Sequence, residues 1–231
     1  MCSVASVVDV MLSPLNAVVD VEAAERAGWT AIDLAAAYVA GGARFLQIRA
    51  KTLAGAAFLD LTLRICELAR PAGAVVVVND RADVARLSRA DGVHLGQDDL
   101  PVAAARAIVG IEAMIGISTH TERQLDAAIG QPLTYVAVGP VFGTSTKATG
   151  YEPVGLDRVR YAASRLRGGH AARLSALPGL VAIGGITIDS AAAVIEAGAT
   201  AVAVITDLLV TGDPEARVRA YLARLAERGK V

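Results

Sequence analysis

The chain has 231 residues, of which 54% are hydrophobic, 19% charged and 4% aromatic, so it can bury a sizeable core and a disordered chain is excluded. Its 22 Lys and Arg face 23 Asp and Glu, a net charge of −1, which leaves no basic field for a nucleic-acid backbone. Mean hydropathy is +0.49, yet no uncharged apolar run nears the roughly 18 residues of a membrane span; the value comes from Ala and Val spread over many short runs.

Residues Met1 to Leu12 are apolar, carry no Lys or Arg and lack the basic start of a signal peptide. Residues 1–14 therefore read as a variable N-terminal extension, ahead of a single domain over 15–231. Short β-branched runs then alternate with Ala-rich segments. Strands are expected at Leu15–Asp20, Ala43–Arg49, Ala74–Val78, Gly92–His94, Ala113–Ile117, Thr134–Val138, Gly179–Ile183 and Ala201–Ile205. Each run is apolar almost throughout, as parallel strands buried on both faces are. Helical patterns fill the gaps at Thr30–Gly41, Ala54–Arg70, Pro101–Val109, Thr119–Ile129, Leu156–Arg167 and Thr187–Ala197, and a last helix opens at Asp213-Pro214. A further helix is expected after the third strand. Gly168–Leu177 reads as an irregular basic surface loop.

This alternation indicates an α/β protein, and the count and length fit a single (β/α)8 TIM barrel. A doubly wound open sheet fits less well, because no Gly-x-Gly-x-x-Gly follows the first strand. In a barrel, chemistry gathers at the C-terminal strand ends. Those ends carry Gln47, Arg49 and Lys51; Asn79, Asp80 and Arg81; His94 to Asp99; Ser118 to His120; Gly139 to Lys147; Gly184-Gly185; and Thr206.

Asp80 and Asp99, on adjacent strand ends, can converge on one Mg²⁺, which takes one or two carboxylates and completes its shell with water and phosphate oxygen. Arg49, Lys51 and Lys147 suit phosphate oxygens. Of the 22 basic residues only Lys51, Lys147 and Lys230 are lysine, so the two at strand ends can supply a compact point charge that guanidinium cannot. Gly184-Gly185 lets backbone N–H groups approach an anion ahead of a helix N-terminus. Each signal also has a plainer reading. Asp80, or one of Asp98 and Asp99, could cap a helix, Gly184-Gly185 could be a tight turn, and Arg49 could be structural. His94 reads as a hydrogen-bonded structural residue and His120 as a helix start. Neither has a Ser or Cys partner in a nucleophile motif. Cys2 and Cys66 give no disulfide framework and no metal-ligand spacing, which points to a reducing, cytoplasmic compartment.

Taken together, Gln47-x-Arg49-x-Lys51, Asn79-Asp80-Arg81, Asp91-Gly92-Val93-His94-Leu95-Gly96-Gln97-x-Asp99, Gly116-x-Ser118, Gly139-Pro140-Val141-Phe142 with Thr144-x-Thr146-Lys147, and Ile183-Gly184-Gly185-Ile186 resemble the thiamine-phosphate synthase family. The resemblance runs from about Leu15 to the last helix. It implies a transferase of thiamine biosynthesis that joins 4-amino-2-methyl-5-(diphosphooxymethyl)pyrimidine to a thiazole phosphate and releases diphosphate. It implies that Gln47, Arg49, Lys51, Asn79 and Lys147 contact the pyrimidine diphosphate, with Ser118 a further contact to that substrate. Arg49, Lys51, Ser118 and Lys147 would act directly in catalysis. Asp80 and Asp99 would hold one Mg²⁺. Thr144, Thr146, Gly185, Ile205 and Thr206 would form the thiazole-phosphate pocket. Small-molecule substrates are the expected partners, with a homo-oligomer possible and neither nucleic acid nor membrane involved. Ala50 stands where the family often has an acidic residue, and Thr206 where it often has Ser. Rival readings are a thiazole tautomerase of the same barrel family and a non-catalytic barrel that binds a phosphorylated ligand.

Overall fold

The computed structural model describes residues 13–143, 151–168 and 178–226. Eight parallel strands close into a barrel in sequence order: β1 (Leu15–Asp20), β2 (Phe45–Arg49), β3 (Val75–Asn79), β4 (Gly92–Leu95), β5 (Met114–Thr119), β6 (Tyr135–Val138), β7 (Gly179–Ile183) and β8 (Ala201–Val204). The last strand returns to the first, with Asn16 opposite Ala203, so the open-sheet alternative does not apply.

Helices cover the outside: α1 (Val21–Arg26), α2 (Ala31–Ala40), α3 (Gly55–Ala69), α4 (Ala82–Ser88), α5 (Val102–Val109), α6 (Glu122–Ala128), α7 (Gly155–Gly168), α8 (Ile188–Glu196) and α9 (Pro214–Ala226). No helix among the described residues is long and apolar enough to cross a membrane.

The period of 2 along each strand sorts side chains into two cores. On β1, Leu15, Ala17 and Val19 face the helices with Leu46, Ile48, Val76 and Val78. Val18 faces inward with Phe45, Val77, Met114, Tyr135, Ala137, Val181, Ala201 and Ala203, which fill the barrel interior. The inward rows of β2 to β5 therefore end, at their C-terminal ends, in polar residues of the mouth: Gln47 and Arg49, Asn79, His94 and Ser118.

Several ends move by one to three residues for local reasons. Ala43 donates its N–H to the Tyr38 carbonyl at 3.0 Å, closing α2 before β2 begins. β5 continues to Thr119, whose hydroxyl donates to the Ala137 carbonyl at 3.0 Å; the expected helix start at Thr119 is thus corrected to Glu122, with Thr121 as its cap. β8 stops at Val204 and Ile205 turns the chain into a 3-10 turn, Thr206–Leu208. Thr30 and Asp213 cap α2 and α9 as expected, accepting the N–H of Asp33 at 3.1 Å and of Ala216 at 2.9 Å. Pro101 sits at the cap of α5 rather than in its first turn. The helix α1, squeezed between β1 and α2, has no counterpart in the sequence reading. The expected loop at Gly168–Leu177 lies, beyond Gly168, outside the described residues.

Candidate active site

A cavity of about 340 Å³ opens at the C-terminal mouth of the barrel. It brings together Gln47, Arg49, Asn79 and Ser118 on one side and Gly185, Ile205 and Thr206 on the other. Beside it, Lys51, Asp80 and Asp99 form a separate charged cluster. Thr144, Thr146 and Lys147 lie outside the described residues.

The β2 end is held by two carboxylates that the sequence reading missed. Asp20, the last residue of β1, is 1% exposed. One of its oxygens accepts the Ala23 N–H at 2.8 Å, capping α1, and the other pairs with the Arg49 guanidinium. Glu22, in the first turn of α1, accepts the N–H groups of Lys51 at 2.8 Å and Thr52 at 3.0 Å and the Thr52 hydroxyl at 3.0 Å. Burial acts to raise the Glu22 carboxyl, but these donors win and hold it below the ordinary carboxylate range. The function of α1 is therefore to deliver two anions that fix the backbone and guanidinium of the β2 end. The signal was available in Asp20-Val21-Glu22-Ala23-Ala24, a capping residue followed by strong helix formers.

Asp80 has φ +64°, in the left-handed region, and its N–H donates to the His94 carbonyl at 2.7 Å. Its side chain pairs with Lys51 and caps nothing; Arg81 occupies the cap position of α4. Asp99 accepts the Gly96 N–H at 2.7 Å, closing the turn after β4, and neither Asp98 nor Asp99 caps α5. The helix-cap readings of these carboxylates are thus set aside. Burial first, and contact with Asp80 next, push the Asp99 carboxyl above its ordinary value. Two like charges in contact, with an ammonium on one of them, make a site that a divalent cation would relieve. Among the described residues no three His, Cys, Asp or Glu side chains could ligate a metal together. The pair would leave the rest of an octahedral shell to water and substrate oxygens, as Mg²⁺ prefers.

The opposite end is built by two glycine turns packed on each other. Gly139-Pro140 is a cis peptide, and the segment after it extends the sheet: Val141 and Phe142 donate to the carbonyls of Ile183 and Gly184 at 2.9 and 3.0 Å. Gly184 and Gly185 have φ +102° and +61°. A Cβ on Gly185 would lie 2.4 Å from the Gly143 carbonyl oxygen. Among the described residues, the N–H groups of Gly185 and Ile186 have no protein acceptor. They line the cavity just ahead of α8, where an anion is favoured. Asp207 also lines it and is neutralised from behind, accepting from Arg217 at 2.7 Å and Tyr221 at 2.5 Å and from the Ile188 N–H at 3.1 Å.

Two histidines line the cavity. His94 bonds to Tyr135 and Ser118, as its structural reading expected. His120 does not start a helix. Its Nδ1 donates to the Gly139 carbonyl at 2.6 Å and its ring stacks on Tyr151 with centroids 4.2 Å apart. The Ser118–His94 pair lacks the carboxylate of a catalytic triad, because the other ring nitrogen of His94 meets Tyr135. Burial pushes the free Cys66 thiol up to about 11, and it lies away from this mouth.

Fold and site together define a (β/α)8 barrel whose mouth carries cations and a carboxylate pair at one end and a backbone anion cradle at the other. Residues 15–208 match the profile of the family described as thiamine monophosphate synthase, and the chain belongs to that family. It is 40% identical over 192 residues to the thiamine-phosphate synthase of Chlorobium luteolum, covering 83% of this chain and 86% of that protein. It is 42% identical over 200 residues to that of Anaeromyxobacter dehalogenans, covering 84% and 85%. Among solved structures it is similar to thiamine phosphate pyrophosphorylase from Pyrococcus furiosus, with TM-score 0.81, 26% identity and coverage of 94% and 98%.

Proposed function

We propose that this chain joins 4-amino-2-methyl-5-(diphosphooxymethyl)pyrimidine to 4-methyl-5-(2-phosphoethyl)thiazole, or its carboxylated form, giving thiamine phosphate and diphosphate, with carbon dioxide as a further product from the carboxylated form. The observation that carries the reading is one cavity with two unlike anion-binding ends, which suits two phosphorylated substrates that must meet.

Gln47, Arg49, Lys51, Asn79 and Lys147 bind the pyrimidine diphosphate, and Ser118 bonds to its ring. Asp80 and Asp99 would hold one Mg²⁺, which when bound supplies charge neutralisation to the departing diphosphate. Arg49 is held by Asp20 and the Lys51 backbone by Glu22, so these cations need little rearrangement as charge develops on the leaving oxygens. Loss of diphosphate leaves a methylene cation stabilised by electron donation from the aminopyrimidine ring. The thiazole nitrogen then attacks that carbon. This route requires no protein nucleophile and no strong general base. Gly185, Ile205, Thr206, Thr144 and Thr146 hold the thiazole phosphate so that its nitrogen faces the methylene, and positioning supplies much of the rate. A free, buried Cys66 fits a reducing cytoplasmic setting.

Isothermal titration with each substrate alone tests the division of the cavity. Thiazole phosphate is expected to bind with or without Mg²⁺, and pyrimidine diphosphate to bind tightly only with it. Thiazole phosphate binding with no affinity for the diphosphate under either condition would favour the tautomerase reading.

A further inference from the structure

Three buried side chains from three strands form one hydrogen-bonded row under the cavity. Tyr135 Oη lies 2.9 Å from His94 Nδ1, and His94 Nε2 lies 2.8 Å from Ser118 Oγ. The Gln47 side chain, which lines the cavity, acts on the same Tyr135 hydroxyl to lower its pKa against the larger effect of burial. The row is packed as well as bonded. The His94 and Tyr135 rings stack with centroids 5.5 Å apart, and Phe45 meets Tyr135 edge-on. A Cβ on Gly116 would fall 2.0 Å from Tyr135 Cζ, so Gly116 is the space in which the tyrosine ring lies. Gln97 donates to the Ser118 carbonyl at 2.6 Å and fixes the serine backbone.

Counting protons gives the row a direction. Burial keeps the Tyr135 phenol protonated, with one proton to give. Among the described residues the hydrogen-bond partner of this buried hydroxyl is His94 Nδ1, so a phenol that accepted there would leave its own proton unpaired. The phenol proton then goes to His94 Nδ1. A neutral imidazole that accepts at Nδ1 carries its proton on Nε2 and donates it to Ser118 Oγ. Ser118 is left with its own proton for the cavity.

We propose that His94 and Tyr135 are positioning residues that fix this direction, so that the cavity offers a Ser118 hydroxyl donor and thereby selects a 4-aminopyrimidine over its 4-oxo counterpart. The inference rests on the substrate reading given above. In the 4-amino compound the exocyclic group donates and the ring nitrogens accept. In the 4-oxo compound the exocyclic oxygen accepts and a ring nitrogen carries a proton. Against a row of fixed direction the Ser118 donor would face the protonated ring nitrogen of the 4-oxo compound, and a buried donor would go unpaired.

Two readouts test this. The first needs no turnover: ¹⁵N NMR of His94 in the ligand-free protein is expected to show the Nε2–H tautomer, and an Nδ1–H tautomer would overturn the proposal. The second compares coupling of the 4-amino and 4-oxo pyrimidine diphosphates with thiazole phosphate. Wild type is expected to favour the 4-amino substrate in kcat/KM by about 10²-fold or more. Tyr135→Phe keeps the ring in the Gly116 space and is expected to lower that preference about tenfold or more, leaving KM for thiazole phosphate within about twofold. His94→Gln, whose amide accepts at one end and donates at the other, is expected to retain more of the preference than His94→Leu. An unchanged preference in Tyr135→Phe, or none in wild type, would overturn the proposal. Should Tyr135→Phe fail to fold, the tautomer in wild type decides. A wild-type protein that shows the Nε2–H tautomer and couples neither pyrimidine would refute the substrate reading while upholding the direction of the row.

Discussion

Gly185→Ala puts a methyl carbon 2.4 Å from the Gly143 carbonyl oxygen and 2.9 Å from the carbonyl carbon and Cβ of Phe142. Two of these obstacles are main chain, so no rotamer change relieves them. Gly185 has φ +61°, where an L side chain costs roughly 1–2 kcal/mol. Forcing the Phe142-Gly143 backbone aside adds about 1–3 kcal/mol. Together these give roughly 2–5 kcal/mol, and at about 2–4 °C per kcal/mol for a domain of this size Tm should fall by roughly 4–20 °C. Gly143→Ala is the control: its Cβ would meet nothing within 4 Å, and its Tm should stay within about 2 °C of wild type. The same displacement moves the Gly185 and Ile186 N–H groups, so KM for thiazole phosphate should rise about tenfold or more while KM for the pyrimidine diphosphate changes little. Thermal unfolding and two-substrate kinetics on both variants provide the measurement. A Gly185→Ala protein as stable as Gly143→Ala, with unchanged thiazole-phosphate KM, would refute the packing argument and the cradle together.

Asp80→Ala and Asp99→Ala should each lower coupling by about 10²-fold or more at saturating Mg²⁺, and near wild-type turnover in both would remove them from the metal site. Lys147→Met should weaken binding or turnover of the diphosphate substrate while thiazole-phosphate affinity survives; equal loss of both affinities would make Lys147 a holder of its loop. Glu22→Gln keeps an acceptor but loses the charge that its donors stabilise, so it should cost about 1 kcal/mol at neutral pH, or roughly 2–4 °C in Tm. Because the folded-state pKa of Glu22 lies below its ordinary value, that contribution is present above the ordinary carboxylate pKa and is lost as pH falls through the folded value. Thermal scans of the pair should therefore converge in acid, and a gap that widens as pH falls would contradict the hydrogen-bond account.

Strand periodicity carried the barrel. β1 and β7 begin and end where the sequence reading places them, because their side chains are buried or nearly so along the whole strand. Helix starts were harder where a polar strand end runs straight into a turn. Thr119 reads as a cap but spends its hydroxyl on the Ala137 carbonyl, and Thr121 caps instead with Gln124 as its reciprocal partner. The residues at strand ends were legible because a barrel sends them all to one mouth. Their supports were not. Asp20 and Glu22 reach Arg49 and Lys51 across 29 positions of sequence, a contact that only closure of β1 against β2 creates. Tyr135 read as one apolar residue of a buried strand, and its place in a polar row depends on the gap at Gly116 on the neighbouring strand. The Asp207-Arg217-Tyr221 group likewise joins the end of β8 to α9 through tertiary packing alone.

The central claim is that the two ends of this cavity hold two substrates whose coupling releases diphosphate. Purified protein given pyrimidine diphosphate and thiazole phosphate, with and without Mg²⁺, tests it directly when thiamine phosphate and diphosphate are followed together. The account predicts Mg²⁺-dependent formation of both products in equal amounts. Diphosphate release without thiamine phosphate, or no product in either condition while thiazole phosphate still binds, would contradict it.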